Sequence, residues 1–376
     1  MRKIQMVDTK NQYLAIKKEV DESIQAVLDS ASYINGKSVQ DFSQSLASYL
    51  QVSHVIPCAN GTDALQIAMM ALGLQPGDEV ITPSFTYIAT TEVVALLGLT
   101  PVFVDVDPVT YCMDIASLKK AITPKTKAIV PVHLYGHAAP MAEILQIAQE
   151  HNLFVIEDNA QAIGCDYTFP NGETKKTGTM GHIGATSFYP SKNLGAFGDG
   201  GALFTNDKAL ADKMTMIANH GQSARYYHDV VGCNSRLDSI QAAVLNIKLQ
   251  KLDSYNHARF QVAQFYNNAF ADIKQIVTPA VNKYSTHVYH QYTIQLVGMD
   301  REKFIKHLAD LEIPCMIYYP VPGHLQKMFG EGKNEHLHLP VTNALTPVVC
   351  SLPIHTEMEE AQLKHIASGV NSFFNA

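Results

Sequence analysis

The chain has 376 residues, of which 47% are hydrophobic and 17% charged, and its formal net charge at pH 7 is −7. This length accommodates two domains, each with a core large enough for stability. A surface that follows nucleic-acid phosphates needs clustered Lys and Arg, and the sequence has no such cluster, so we expect no nucleic-acid partner. No stretch reaches the ~18 apolar residues of a transmembrane helix, and the N-terminus carries no apolar signal segment. We therefore expect a cytoplasmic protein without a membrane partner.

The six cysteines are scattered along the chain and include no C-x-x-C pair. A structural zinc site or a disulfide framework requires closer grouping. We therefore expect free thiols and no bound metal.

Two amphipathic helices are predicted first, over Tyr13 to Ser30 and Val39 to Leu50, with a turn at Tyr33–Gly36 between them. From residue 53, short apolar runs alternate with helical segments. The predicted strands are 54–58, 79–83, 101–106, 127–133, 153–157, 185–189 and 201–205. The predicted helices among them are 63–72, 86–98, 115–121, 140–151 and 207–219. Continuous apolar strands belong in a sheet that is covered on both faces, so the pattern indicates an α/β fold.

The alternation stops after about residue 237. A long helix is predicted from Leu237 towards Phe270, followed by a strand at Tyr289–Leu296 and a helix at Glu302–Leu311. This order predicts a smaller C-terminal α+β domain. We assign residues 1–240 to the large domain and 241–376 to the small one, with the boundary inside a helix.

The first candidate site segment ends the strand 54–58 and opens the next helix. Gly61 permits close approach to the backbone there, and Thr62 supplies a hydroxyl. Free amides and the dipole at a helix N-terminus can bind a phosphate. An ordinary helix cap by Asn60 or Thr62 is the alternative. No G-x-x-x-x-G-K-[ST] or G-x-G-x-x-G motif follows a strand, so a nucleoside triphosphate or dinucleotide is not indicated.

The second segment is an apolar strand that runs into Glu157 and Asp158. Adjacent strand residues point to opposite faces, so only one of these carboxylates can face a given ligand. Burial of an unpaired carboxylate is costly, which predicts a cationic partner. A helix cap, an ion pair or a metal ligand are the alternatives.

The third segment places Lys192 after a predicted strand, and four glycines follow it, at positions 195, 198, 200 and 201, the last of which begins the next predicted strand. Most lysines are solvated surface groups. Lys192, however, comes later in the chain than a candidate phosphate-binding helix N-terminus and a candidate functional carboxylate. The three segments together fit pyridoxal phosphate. The lysine would bind the cofactor's aldehyde covalently, the acid would keep the ring nitrogen protonated, and the helix N-terminus would hold the phosphate.

The sequence also resembles a known family over nearly its whole length. The motifs that carry the resemblance are Asn60–Leu65, Pro83–Thr90, Glu157–Gln161, Ser187–Lys192, Gly198–Gly201, His220–Gly221 and Gly232–Leu237. They occur in this order in the DegT/DnrJ/EryC1/StrS family of pyridoxal-phosphate-dependent nucleotide-sugar aminotransferases. The resemblance implies the fold of type I aminotransferases, with a three-layer α/β/α large domain around a mostly parallel seven-stranded sheet. Within the family, the chain is most similar to the 3-aminotransferases that act on UDP-2-acetamido-2-deoxy-3-oxo-glucuronic acid for lipopolysaccharide or O-antigen.

The resemblance also implies residue roles at the cofactor. Lys192 would carry the cofactor and move the proton, Asp158 would pair with the ring nitrogen, and Gln161 would approach the phenolic oxygen. Tyr87 would stack on the ring, a role that suits an aromatic plane.

The same resemblance assigns the phosphate to Gly61, Thr62 and Ser187. Asn234 would reach the phosphate of the neighbouring subunit, so the active site would be shared in a homodimer. The expected amino donor is glutamate, which would leave as 2-oxoglutarate in a ping-pong reaction.

Arg236, Tyr318 and Tyr319 are the candidate sugar-binding residues, and a guanidinium suits a sugar carboxylate. Instead of binding the sugar, the two tyrosines could have a structural role and pack between the domains. Many relatives have a histidine where this chain has Tyr318, and Tyr319–Gln326 also resembles enzymes that aminate dTDP-3-keto-6-deoxyhexoses. Two other classes of protein with this fold are alternatives. A sugar dehydratase of the same fold has histidine in place of Lys192, and a non-catalytic regulator needs no complete site.

Overall fold

A seven-stranded sheet forms the centre of the structure, a computed structural model that describes residues 1–374. The strands of the chain are β1 (His54–Cys58), β2 (Glu79–Pro83), β3 (Thr100–Val104), β4 (Thr126–Ile129), β5 (Phe154–Asp158), β6 (Asp166–Thr168), β7 (Thr174–Lys176), β8 (Ile183–Ser187), β9 (Gly201–Thr205), β10 (Gln222–Ala224), β11 (Tyr227–His228), β12 (Ile276–Val277), β13 (Tyr292–Leu296) and β14 (Val349–Leu352). The order in the central sheet is β1-β9-β8-β5-β4-β2-β3, and only β9 runs antiparallel to its neighbours. The predicted mostly parallel, seven-stranded α/β fold is thus confirmed.

The helices are α1 (Thr9–Ala15), α2 (Lys17–Ser30), α3 (Lys37–Leu50), α4 (Gly61–Ala71), α5 (Ala89–Leu96), α6 (Ile115–Ala121), α7 (Met141–His151), α8 (Lys208–Ala218), α9 (Ser239–Leu249), α10 (Leu252–Ala269), α11 (Arg301–Asp310), α12 (Pro340–Leu345) and α13 (Glu360–Phe374). Helices α4, α5 and α8 pack on one buried cluster of the sheet. Helices α6 and α7 pack on a second cluster, and α3 and α9 on a third. No helix in residues 1–374 has the length and apolar character needed to cross a membrane.

A second sheet of three antiparallel strands, β12-β13-β14, lies in the C-terminal part. Its buried cluster includes side chains from the later part of α10 and from α11 and α13, among them Tyr266, Phe304 and Val370. Full burial of side chains of this size contributes about 1.5–3 kcal/mol each relative to exposure. The α+β character predicted for this part is present. The division of the chain at residue 240 stays a prediction.

Two helices predicted as continuous are each divided. The first breaks at Ile16, which has a non-helical backbone between α1 and α2. The second is two helices, α9 and α10, separated at residues 250–251. At the second break the apolar periodicity continues because α9 and α10 both bury apolar side chains, so the pattern does not reveal where the backbone turns. At the first break the buried Ile16 continues the apolar pattern of α2, whereas Leu14 of α1 is 51% exposed.

Several predicted strands are displaced by a few residues. The segment 127–133 pairs as a strand only at Thr126–Ile129, because Pro131 has no amide hydrogen to donate, and Val132 forms only an isolated bridge to Asp158. The segment 185–189 is shifted to β8, and 289–296 begins as a strand at Tyr292. Helix 86–98 is shortened to α5.

The register of the sheet aligns the ends of four strands. Asp158 of β5 is opposite Ala185 of β8, and Ser187 of β8 is opposite Gly201 of β9. Gly201 is in turn opposite Cys58, the last residue of β1. Ligands of α/β proteins bind at such an edge, beyond the carboxyl ends of parallel strands.

Candidate active site

Lys192 lies in the tight loop between β8 and β9. The Lys192 amide donates to the carbonyl of Tyr189 at 2.8 Å, and the Ala196 amide donates to the carbonyl of Phe188 at 2.7 Å. A Cβ atom on Gly195 would lie 2.4 Å from the carbonyl oxygen of Pro190, so the loop requires glycine there. The loop is therefore closely held where it presents the lysine.

The Lys192 side chain is partly buried, and its ammonium is poorly solvated. Burial lowers the pKa of Lys192 from 10.5 to about 8, although the negative charge of Asp158 acts in the opposite direction. Loss of solvation disfavours the charged form of an amine. With this pKa about one tenth of the Lys192 amine is neutral, and therefore nucleophilic, at pH 7.

This lowered pKa predicts how the apoprotein reacts with an acylating reagent. In competitive labelling with acetic anhydride, followed by peptide mass spectrometry, Lys192 should reach half its maximal reactivity near pH 8, because only the neutral amine reacts. Asp158→Asn should move this midpoint to lower pH, since it removes the charge that favours the ammonium. A midpoint near the ordinary value of 10.5 would contradict the assignment.

Asp158 is almost fully buried at the end of β5. Its amide donates to the carbonyl of Pro131 at 2.9 Å, and its carbonyl accepts from the amide of His133 at 3.1 Å. Its side chain accepts from the Thr90 hydroxyl at 2.8 Å and from the Ala160 amide at 3.2 Å. Hydrogen bonds thus hold both the backbone and the carboxylate of Asp158 in place.

The neighbouring carboxylate, Glu157, is committed to protein donors. It accepts from the amides of Gly178, Met180 and Gly181 at 2.6–2.8 Å. It also accepts from Nε2 of His133 at 2.9 Å. Since Nδ1 of His133 accepts from a backbone amide at 3.1 Å, the imidazole proton belongs on Nε2. Glu157 therefore anchors the segment before β8.

Gln161 and Tyr319, two predicted site residues from distant parts of the chain, are in contact. Oε1 of Gln161 accepts from the Tyr135 amide at 2.7 Å, so its Nε2 group faces the Tyr319 hydroxyl, at 2.9 Å. Burial raises the pKa of Tyr319 well above its ordinary value, which keeps this hydroxyl protonated. The Tyr87 ring lies 5.9 Å from the Tyr319 ring. The Tyr318 carbonyl accepts a hydrogen bond from the Tyr135 hydroxyl.

The N-terminus of α4 lies against Ser187. A Cβ atom on Gly61 would lie 2.7 Å from Cβ of Ser187, so only glycine allows this approach. Asn60 caps the helix by accepting from the Asp63 amide at 2.8 Å. Within residues 1–374, the amides of Gly61 and Thr62 donate to no protein acceptor. The cap predicted as an alternative is thus present, and two amides remain for an anion.

Asn234 and Arg236 line an open cleft of about 500 Å³ together with Ala59 and Gly198. Nη1 of Arg236 donates to the Asn219 side chain at 2.9 Å. The segment between them is tied to the start of α4, because the hydroxyl of Ser235 accepts from the Ala59 amide at 3.0 Å. The structure thus brings Tyr319 to Gln161 and places Asn234 and Arg236 together in this cleft.

Sequence reasoning missed two contacts at this edge. The sequence motifs assign no role to Thr90, whose hydroxyl contacts Asp158. They do not include Tyr135, whose amide orients Gln161. No local pattern singles out Thr90, because Thr91 and Glu92 follow it directly and make the start of the helix polar.

These residues fit pyridoxal phosphate. The free amides of Gly61 and Thr62 suit its phosphate, and a partly neutral lysine suits its aldehyde. A buried carboxylate with a fixed orientation suits the protonated ring nitrogen. The phosphate, the aldehyde and the ring nitrogen of the cofactor thus each have a matching amide or side chain at this edge.

Comparison with known proteins agrees with this chemistry. The DegT/DnrJ/EryC1/StrS aminotransferase family matches residues 14–371. The UDP-N-acetyl-3-dehydro-alpha-D-glucosamine 3-aminotransferase of Acidithiobacillus ferrooxidans is 45% identical, over 97% of this chain and 96% of its own length. The UDP-2-acetamido-2-deoxy-3-oxo-D-glucuronate aminotransferase of Pseudomonas aeruginosa is 43% identical, over 98% and 100%.

Solved structures give the same result. The crystal structure of DesV from S. venezuelae superposes with a TM-score of 0.95 at 38% identity and covers 100% of both chains. The resemblance found in the sequence motifs and the cofactor inferred from them are both confirmed. The chain therefore belongs to the DegT/DnrJ/EryC1/StrS aminotransferase family, and its cofactor is pyridoxal phosphate.

Proposed function

We propose that this enzyme transfers an amino group from glutamate to C3 of a nucleotide-linked 3-keto-sugar, UDP-2-acetamido-2-deoxy-3-oxo-glucuronic acid, for lipopolysaccharide or O-antigen synthesis. The observation that carries the proposal is the 43–45% identity, over nearly full length, to two aminotransferases named for UDP-linked 3-keto-sugars. The partly neutral Lys192 at the edge that holds Asp158 supports the chemistry. A dehydratase would lack this lysine.

When bound, pyridoxal phosphate supplies an electron sink for the carbon that bears the amino group. Nζ of Lys192 would take the proton from that carbon as a general base and return it as a general acid in the second half-reaction. A pKa of about 8 suits both directions near neutral pH. Asp158 would hold the proton of the ring nitrogen, and Gln161 would donate to the phenolic oxygen.

The remaining cofactor contacts follow the same assignment. Gly61, Thr62 and Ser187 would bind the phosphate through amides and hydroxyls. Tyr87, which is 56% exposed in the single chain, would cover one face of the ring. These contacts orient the cofactor without taking part in proton transfer.

For the sugar we propose Tyr318, Tyr319 and Arg236. The Pseudomonas relative is named for a sugar with a carboxylate at C6, and a guanidinium would bind that group through two hydrogen bonds. The Acidithiobacillus relative is named for a glucosamine derivative, which has no carboxylate there. Its 45% identity makes UDP-3-keto-N-acetylglucosamine the second candidate substrate.

We further propose that the enzyme is a cytoplasmic homodimer in which Asn234 reaches the partner's phosphate. The hairpin β10–β11 and the residues after it expose apolar side chains in the single chain, with Tyr226, Tyr227 and Val231 exposed by 77%, 69% and 84%. Exposed apolar surface of this kind is typical of an interface. Asn234 follows the same segment directly, so a partner that covers the hairpin would also meet this amide.

The half-reactions can be separated by absorption spectroscopy. The purified protein should be yellow, glutamate should remove the yellow band and release 2-oxoglutarate, and the correct keto-sugar should restore it, because the amino group then leaves for the sugar. The sugars to compare are UDP-3-keto-N-acetylglucosamine, UDP-2-acetamido-2-deoxy-3-oxo-glucuronic acid and a dTDP-3-keto-6-deoxyhexose. NMR of the product should place the new amine at C3. A protein that stays yellow with glutamate would mean that the proposed donor or the reaction class is wrong, and it would reopen the dehydratase and regulator alternatives.

A further inference from the structure

The carboxylate of Asp158 receives one hydrogen bond from another side chain. Oγ1 of Thr90 donates to its Oδ2 at 2.8 Å, and both residues are buried, with exposures of 0% and 6%. The second oxygen, Oδ1, accepts from the Ala160 amide at 3.2 Å. A carboxylate accepts hydrogen bonds only, so the direction of the bond from Thr90 is determined.

Thr90 belongs to a short chain of hydroxyls. Oγ1 of Thr86 lies 3.2 Å from Oγ1 of Thr90. Because the single hydroxyl proton of Thr90 is used on Asp158, Thr86 must be the donor in this pair. The order Thr86 to Thr90 to Asp158 makes each bond polarise the next, which strengthens the final bond to the carboxylate.

The adjacent threonine in the same helix behaves differently. Thr91 is equally buried, and its hydroxyl donates to the carbonyl of Ile88 at 3.1 Å, the usual local bond of a helical threonine. Thr90 makes no such bond within residues 1–374 and instead reaches a residue 68 positions later in the chain. Helix packing alone does not require this orientation of its hydroxyl.

We propose that Thr90 is a positioning residue that fixes the Asp158 carboxylate in the orientation that pairs with the ring nitrogen of the cofactor, so that this nitrogen stays protonated. The inference rests on the proposed function, in which Asp158 pairs with that nitrogen. Without this hydrogen bond the carboxylate could rotate away from the ring nitrogen, and the ring would be a weaker electron sink.

The test compares four variants of the holoenzyme. Thr90→Val removes the hydroxyl at nearly constant volume, Thr90→Ser keeps it, and Thr91→Val removes the neighbouring hydroxyl. Asp158→Asn serves as the reference. The first readout is the ¹⁵N chemical shift of enzyme reconstituted with ring-¹⁵N pyridoxal phosphate, which reports the protonation of the ring nitrogen. The second is kcat and KM of the glutamate half-reaction.

We expect Thr90→Val to move the ¹⁵N shift towards that of the unprotonated ring and to lower kcat about 10- to 100-fold, the loss typical of one hydrogen bond to a charged group. KM should change little, because glutamate does not touch Thr90. Thr90→Ser and Thr91→Val should keep the wild-type shift. If Thr90→Val does not fold, Thr90→Ala removes the same hydroxyl without adding an apolar methyl group.

The outcomes separate the inference from the proposed function. If Asp158→Asn leaves the ring nitrogen protonated, the role of Asp158 itself is wrong. If Asp158→Asn changes the shift and neither Thr90→Val nor Thr90→Ala does, only the role of Thr90 is wrong. An equal change in Thr91→Val would attribute the effect to the packing of α5 and would also overturn the inference.

Discussion

Lys192→Ala is expected to abolish transamination, with kcat lowered at least about 10⁴-fold, since the variant loses both the group that carries the cofactor and the general base. The fold should remain, because the lysine is only partly buried and its lowered pKa indicates that its charge is poorly solvated in the native state. The unfolding temperature of the apoprotein should therefore be unchanged or slightly higher. Release of 2-oxoglutarate and thermal unfolding followed by circular dichroism measure the two effects.

Lys192→Arg is the matched control, because it keeps a positive charge opposite Asp158 but cannot form the covalent bond. It should be as inactive as the alanine variant. A small amine such as ethylamine, added to Lys192→Ala, should restore part of the rate, because it supplies a base to the space that the side chain leaves. Turnover close to wild type in Lys192→Ala would refute the assignment of this residue.

The central sheet was predictable because its strands are continuous apolar runs. Strands β1, β2 and β9 coincide with the predicted segments at both ends. The break at residues 250–251 was not predictable from periodicity, since α9 and α10 both bury apolar residues in the protein interior. The break at Ile16 was not predictable because Ile16 is itself buried and continues the apolar pattern of α2. Sequence pattern reports which side chains are buried, and it reports backbone direction only where proline or glycine marks a turn.

The candidate site was predictable to the extent that its residues follow strands. Parallel strands bring their carboxyl ends to one edge, so Asp158 and Ser187 could be expected together. The contact between Gln161 and Tyr319 joins residues 158 positions apart, and Tyr319 does not follow a strand of the central sheet. Such contacts depend on how the C-terminal part packs on the sheet, which no local pattern encodes.

If each active site is shared between the two subunits of a homodimer, the activity of a dimer of two different variants can be predicted. Two differently tagged chains, one with Lys192→Ala and one with Asn234→Ala, can be coexpressed and their heterodimer purified through both tags. If Asn234 serves the partner's site, one site of this heterodimer has both residues and the other has neither. It should then show about half the wild-type activity per dimer.

The reverse pairing is the control that separates the two arrangements. A heterodimer of wild type with the double variant Lys192→Ala/Asn234→Ala has the same composition, but when Asn234 acts across the interface each site lacks one residue. Asn234→Ala alone should weaken pyridoxal phosphate binding about 10- to 100-fold, the loss expected for one hydrogen bond to a phosphate. At subsaturating cofactor the reverse heterodimer should therefore be nearly inactive. If it keeps half the activity and the first heterodimer is impaired, Asn234 serves the site of its own chain, beside Ala59 in the cleft that both residues line.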